Sequence, residues 1–128
     1  MGKKVEVPRF SESISYFCGT MDEARKDYNW CYEEVGRLDQ LTQDYLHKLE
    51  LDNLDYKERA KVATQLSRCR QERRLCKDTV EALTPLVQFL ESDKGKGLLN
   101  LMKEVLGKTR KVESKLESRT YHPRVLKS

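Results

Sequence analysis

The chain has 128 residues, of which 38% are apolar and 36% charged, with a net charge of only +4. That composition supports one domain with a thin core, and it excludes a bilayer span, since no run approaches the roughly 18 apolar residues that crossing requires. Only 6 glycines and 3 prolines interrupt it, which suits long solvated helices and leaves little room for a sheet.

Residues 1–19 open the chain. Pro8 and the mixed stretch FSESISYF are compatible with a short helix or an extended strap alike. MGKKVEVPRF lacks the apolar centre of a secretion signal, and Glu6 stands where N-myristoylation of Gly2 wants Ser or Thr. The expected location is therefore the cytoplasm, with no membrane contact.

Residues 20–118 are expected to form one helical domain. Thr20 and Glu23 have the spacing of a capping box and predict the start of a long helix that ends near Leu51. Its stripe is Met21, Ala24, Tyr28, Cys31, Val35, Leu38, Thr42, Tyr45 and Leu49, stepping by three and four. Asp52-Asn53-Leu54-Asp55 breaks the pattern, and Asp55 with Glu58 repeats the capping logic. A second stripe follows at Val62, Leu66, Cys69, Arg73, Cys76, Val80, Leu83, Val87 and Leu90, with Arg73 its lone charge. So short a link forces the two helices antiparallel, and flanking charges suggest a register that sets Asp39 against Arg70 and Lys48 against Glu58. Pro85 predicts a kink in the second helix, and Ser92-Asp93-Lys94-Gly95-Lys96-Gly97 predicts the strongest turn of the chain. A third helix is expected from Leu98, with Leu98, Met102, Val105, Thr109, Val112 and Leu116 as its inner stripe. Residues 119–128 read as a basic C-terminal tail.

The fold class that follows is all-α: a long antiparallel helical hairpin, coiled-coil-like, with a third, shorter helix packed on its distal half, against Trp30, Ala82, Leu86 and Phe89. That helix is too short to reach the hairpin tip, where Leu46, Leu49, Leu51, Leu54 and Tyr56 have two helices to cover them. An apolar tip predicts a homodimer contact, a partner contact, or shielding by the tail.

Catalytic and metal chemistry find little support. Cys18, Cys31, Cys69 and Cys76 contain no C-x-x-C pair, and three of them lie on the packing stripes, where cysteine serves as a small apolar residue. His47 and His122 sit at a helix end and in the tail, away from any nucleophile. The expectation is a non-enzymatic protein with no metal and no cofactor.

Charge is unevenly spread: residues 20–55 carry −6, residues 56–92 carry +3, and residues 93–128 carry +6. Two binding surfaces follow. In the first, Asp22, Asp27, Glu33, Glu34, Asp39 and Asp44 offer phosphate-like charge to a basic groove of a host protein or nucleoprotein complex, anchored by Leu49, Leu54 and Tyr56. In the alternative, Arg70, Arg74 and Lys77 on the second helix join Lys108, Lys111, Lys115 and Arg119 to bind nucleic acid through its phosphates. No aromatic residue is interleaved with these bases in sequence, which disfavours stacking on single strands.

The stretch from Leu38 to Arg124, with DQLTQDYLHKLEL, DYKERAKVATQLSRCRQERRLCKD, LTPLVQFLES and LGKTRKVESKLESRTYHPR, resembles small helical accessory proteins encoded by phages and prophages of Firmicutes. The resemblance spans about two-thirds of the chain and brings no catalytic residue with it. It implies stoichiometric binding that blocks or adapts host machinery, anti-defence inhibition of the anti-CRISPR kind being one form.

Overall fold

Three α-helices, joined by very short connections, make up nearly all of the described chain, and no strand occurs among the described residues. The computed structural model describes residues 9–119 and 125. The expected leader up to Pro8 and most of the tail lie outside that range. α1 is Phe10–Leu51, α2 is Tyr56–Glu91 and α3 is Asp93–Glu117. At 1.5 Å per residue they are about 63, 54 and 38 Å long.

Both long stripes are inward. Every member of the α1 stripe from Met21 to Leu49, and every member of the α2 stripe from Val62 to Leu90, is buried or half-buried. Cys31, Leu38, Cys69 and Cys76 form the centre of the seam, with Val35, Leu41, Tyr45 and Val80 packed around them. Leu38, at 1% exposure, is the large side chain most fully enclosed. Contacts across the seam descend along α1 as they ascend along α2: the Thr42 hydroxyl lies 3.3 Å from Cys69 Sγ, Asp39 pairs with Arg73, and Cys31 and Cys76 belong to the same buried cluster. The expected Asp39–Arg70 pairing is thus displaced by one turn to Arg73. Arg73 tolerates its place on the seam because its guanidinium reaches out to the Asp39 carboxylate while its stem stays half-buried.

The helix boundaries correct the sequence reading in two places, the start of α1 and the turn before α3. α1 begins at Phe10, ten residues before Thr20, so residues 10–19 are helical and continuous with the domain. Thr20 caps nothing; its hydroxyl donates to the Tyr16 carbonyl one turn back, the usual satisfaction of a threonine inside a helix. α2 runs through Pro85 as a single helix. The turn expected over residues 92–97 contracts to Ser92, and both glycines fall within the first turns of α3. Ser92 serves both helices at once, because its Oγ accepts from the Gly95 amide at 3.1 Å and donates to the Phe89 carbonyl at 2.5 Å. Asp55 does cap α2, accepting from the Glu58 amide at 2.8 Å.

α3 lies along the first turns of α1. Lys103 meets Asp22 at 3.8 Å, Arg110 meets the Ser15 hydroxyl at 3.4 Å, Glu113 accepts from the Ser11 amide at 3.2 Å, and Glu117 pairs with Arg9. Trp30, expected beneath this helix, is instead 61% exposed, while Leu86 and Phe89 do border it. The inner face of α3 is also rotated from expectation: Gly95, Leu99, Met102, Leu106, Thr109 and Glu113 are inward, whereas Leu98, Val105, Val112 and Leu116 are exposed.

Glu113 explains part of that rotation. The start of α1 has no side-chain cap of its own, and Glu113 supplies a carboxylate to the Ser11 amide in its first turn from another helix. Hydrogen bonding by the Ser11 hydroxyl, then by the Ser11 amide and the nearby Arg9 and Arg110 charges, holds its carboxyl below the ordinary glutamate range. A depressed carboxylate stabilises the fold above its unfolded pKa of about 4.3, and that contribution disappears as pH falls through the lower folded value. Amide exchange over residues 10–18, corrected for intrinsic rates, should therefore accelerate as pH is lowered below about 4. Glu113→Gln should weaken that dependence; an unchanged profile would remove Glu113 from this role.

Candidate functional site

The six acidic candidates do not converge on one surface. Asp22, Glu33 and Asp44 recur every eleven residues, so they lie on one line of α1 but about 16 Å apart. Asp27 and Glu34 fall on another face. Three of the six have internal partners: Asp22 with Lys103, Glu34 with Arg37, and Asp39 with Arg73. Asp27, Glu33 and Asp44 are exposed and carry no ion pair among the described residues. At the tip, Leu49 and Leu54 are half-buried, while Leu51 and Tyr56 stand out at 79% and 88% exposure.

The basic candidates separate into two groups. Arg70 and Arg74 border a shallow depression on α2 with Ala63 and Leu66, and Lys77 lines a second crevice with Tyr32 and Val35 of α1. Lys108, Lys111 and Lys115 lie on α3 and Arg119 two residues past its end, and α3 contacts residues 9–22 of α1. The groups are therefore separated by about 20 Å along the α1 axis. None of these seven bases is in an ion pair among the described residues. One relation was invisible in sequence: Tyr32 and Val35 of α1 share a crevice with Arg73, Lys77 and Val80 of α2, which places an aromatic ring beside two bases.

No described group suggests activated chemistry. The four cysteines are free and buried. Burial first, then hydrogen bonding with Cys31, pushes the Cys76 thiol up, the direction that suppresses a reactive thiolate. No group of three or more metal-ligating side chains comes together among the described residues. None of the described helices is long and apolar enough to cross a membrane.

The surface that sequence reasoning missed is apolar. Phe10 and Phe17 on α1, and Leu98, Leu101, Val105 and Val112 on α3, are each between 41% and 66% exposed. Helical geometry puts the two rows on the same side of the α1–α3 contact, because both lie about 100° from their helix's inner face, in matching senses for antiparallel neighbours. An apolar crevice brings Phe17 and Leu98 of these rows together, with Met21 of α1 and Leu86, Phe89 and Leu90 of α2 along its other walls. The signal was present in the sequence as the pairs Leu98-Leu99 and Val105-Leu106, which give α3 an apolar arc wider than one neighbour can cover.

No protein-family model, curated protein or solved structure matches the chain.

Proposed function

We propose that this protein is a non-enzymatic binding protein, an antiparallel hairpin with an appended third helix, that uses its outer surface to block or adapt a host protein in the cytoplasm. The observation that carries the reading is the contiguous apolar surface formed by Phe10, Phe17, Leu98, Leu101, Val105 and Val112. Exposed patches of this kind, rimmed by polar residues, mark interaction surfaces on soluble proteins. The resemblance of Leu38–Arg124 to phage accessory proteins supports a target in the host, and anti-defence is the narrowest form of the proposal. The exposed Leu51 and Tyr56 at the tip support a second contact, with a partner or with another copy of the chain.

The test is capture of the partner from phage-infected cells with the intact chain and with surface variants. A stoichiometric complex on size exclusion, lost in Val105→Glu/Val112→Glu or in Tyr56→Glu, is the expected result. Failure to form any such complex, with every variant folded by circular dichroism, would overturn the proposal.

The unpaired bases and the Tyr32 crevice favour one further reading, direct binding to nucleic acid. It requires affinity for DNA or RNA that drops steeply with salt and falls in Arg70→Glu/Arg74→Glu. The protein-binding reading expects weak, salt-suppressed association at moderate ionic strength, and tight binding there would replace it.

A further inference from the structure

The apolar surface has the shape of a missing helix. α2 ends at Glu91, and its last inward residues, Leu86, Phe89 and Leu90, close one end of the crevice between Phe17 of α1 and Leu98 of α3. Beyond that point α1 and α3 continue together as far as the Arg9–Glu117 pair, with their apolar rows facing the space into which a longer α2 would have extended. A two-helix layer with such a face accepts one more helix in its groove, as three-helix packing does elsewhere. From Leu98 to Leu116 the open row spans about 27 Å, the length of a helix of about 18 residues.

We propose, building on the protein-binding reading above, that this groove receives an amphipathic helix of a partner protein whose apolar stripe is flanked by acidic residues. Charge selects that occupant. On the outer edge of α3, Lys94, Lys108 and Lys115 follow the apolar row, with Glu104 among them and Arg119 just past the helix end, and these four bases are exposed and without an ion pair among the described residues. The matching edge of α1 carries Ser13 and Thr20, which add no opposing charge. An acid-flanked helix places carboxylates against the lysines while its apolar stripe covers Phe17, Val105 and Val112. A second copy is the poorer fit: the exposed apolar area, on the order of 700 Å² per chain, would suffice for a standard dimer, but face-to-face pairing sets the same basic rim against itself. Val125 in the C-terminal segment is 90% exposed, so that side chain does not fill the groove.

The experiment uses the full chain and two fluorescein-labelled 18-residue designed peptides that share a leucine stripe, one flanked by glutamates and the other by lysines. Fluorescence anisotropy at moderate salt should show the glutamate peptide binding at least ten-fold more tightly. Val105→Glu and Val112→Glu should each weaken it by ten-fold or more, and Leu75→Glu, at an exposed position of α2 outside both surfaces, should leave it unchanged. Equal affinity for the two peptides, no binding of either, or indifference to Val105→Glu overturns the proposal. So does sedimentation showing a wild-type dimer that Val105→Glu dissociates, since the groove would then hold a second copy. These failures leave the wider reading standing if infected-cell capture still yields a stoichiometric partner, whereas loss of that partner in every setting removes both.

Discussion

Gly95→Ala is expected to destabilise the protein by about 3 kcal/mol, the upper part of the range for overpacking, and to lower the melting temperature by roughly 10 °C. The size follows from what a Cβ there would meet. It would overlap the Phe89 carbonyl oxygen and lie 2.6 Å from that carbonyl carbon and 2.9 Å from Leu90 Cα. These are backbone atoms at the end of a packed helix, so no rotamer change relieves the clash. α3 must move away from α2, which strains the Ser92 junction and opens the dry crevice beside Leu90. Gly97→Ala is the control, because nothing lies within 4 Å of its Cβ position. Alanine there should stabilise by about 0.5–1 kcal/mol through helix propensity and the unfolded chain's lost freedom. Thermal melts of the two variants decide the matter, and equal stabilities would mean that α3 does not approach α2 as closely as described.

Leu38→Ala is the second large effect, expected at about 3 kcal/mol by urea denaturation. Leu38 sits at the middle of the seam with Cys31, Cys69 and Cys76, and its carbonyl also accepts from Cys69 Sγ at 3.4 Å and from the Thr42 hydroxyl at 2.8 Å. Trimming its isobutyl group to a methyl removes three carbons and forfeits about 2.4 kcal/mol of transfer energy, at 0.8 kcal/mol for each buried carbon. The cavity term should be small, because the seam is only two helices thick and can close or admit water more readily than the centre of a globule. Leu75, on the same pair of helices but 70% exposed, supplies the comparison. Leu75→Ala should change stability by less than 0.5 kcal/mol. Similar costs for the two would contradict the assignment of Leu38 as the core's centre.

Much of the helical pattern was legible because long heptad stripes leave little choice. Nine positions of α1 and nine of α2 were identified by spacing alone, and each is inward. Asp55 was legible as a cap because its partner Glu58 lies three residues away. The failures concern partners remote in sequence. Thr20 carries a cap's spacing, but the helix continued upstream because Glu113, about a hundred residues away, satisfies the Ser11 amide. Arg73 appeared to interrupt a stripe until the register brought Asp39 to it.

The candidate surfaces divide in the same way. Charge runs along a single helix were visible as sequence, yet the pairing of Asp22 with Lys103 and of Asp39 with Arg73, and the distance between the two basic groups, depended on the packed chain. The apolar groove was hidden for a geometric reason: α3 has apolar residues over nearly half its circumference, and spacing alone cannot say which half a neighbour will cover.

The amino-acid sequence by itself determined that the chain would be helical, where its two long seams run and where α1 ends and α2 begins, because those features depend on residues within one or two turns of each other. Tertiary structure alone decided which side of α3 faces inward, since Gly95 permits backbone approach on that side and Glu113 caps α1 from it. The leucines and valines left over on the other side became the exposed surface from which the proposed function is read.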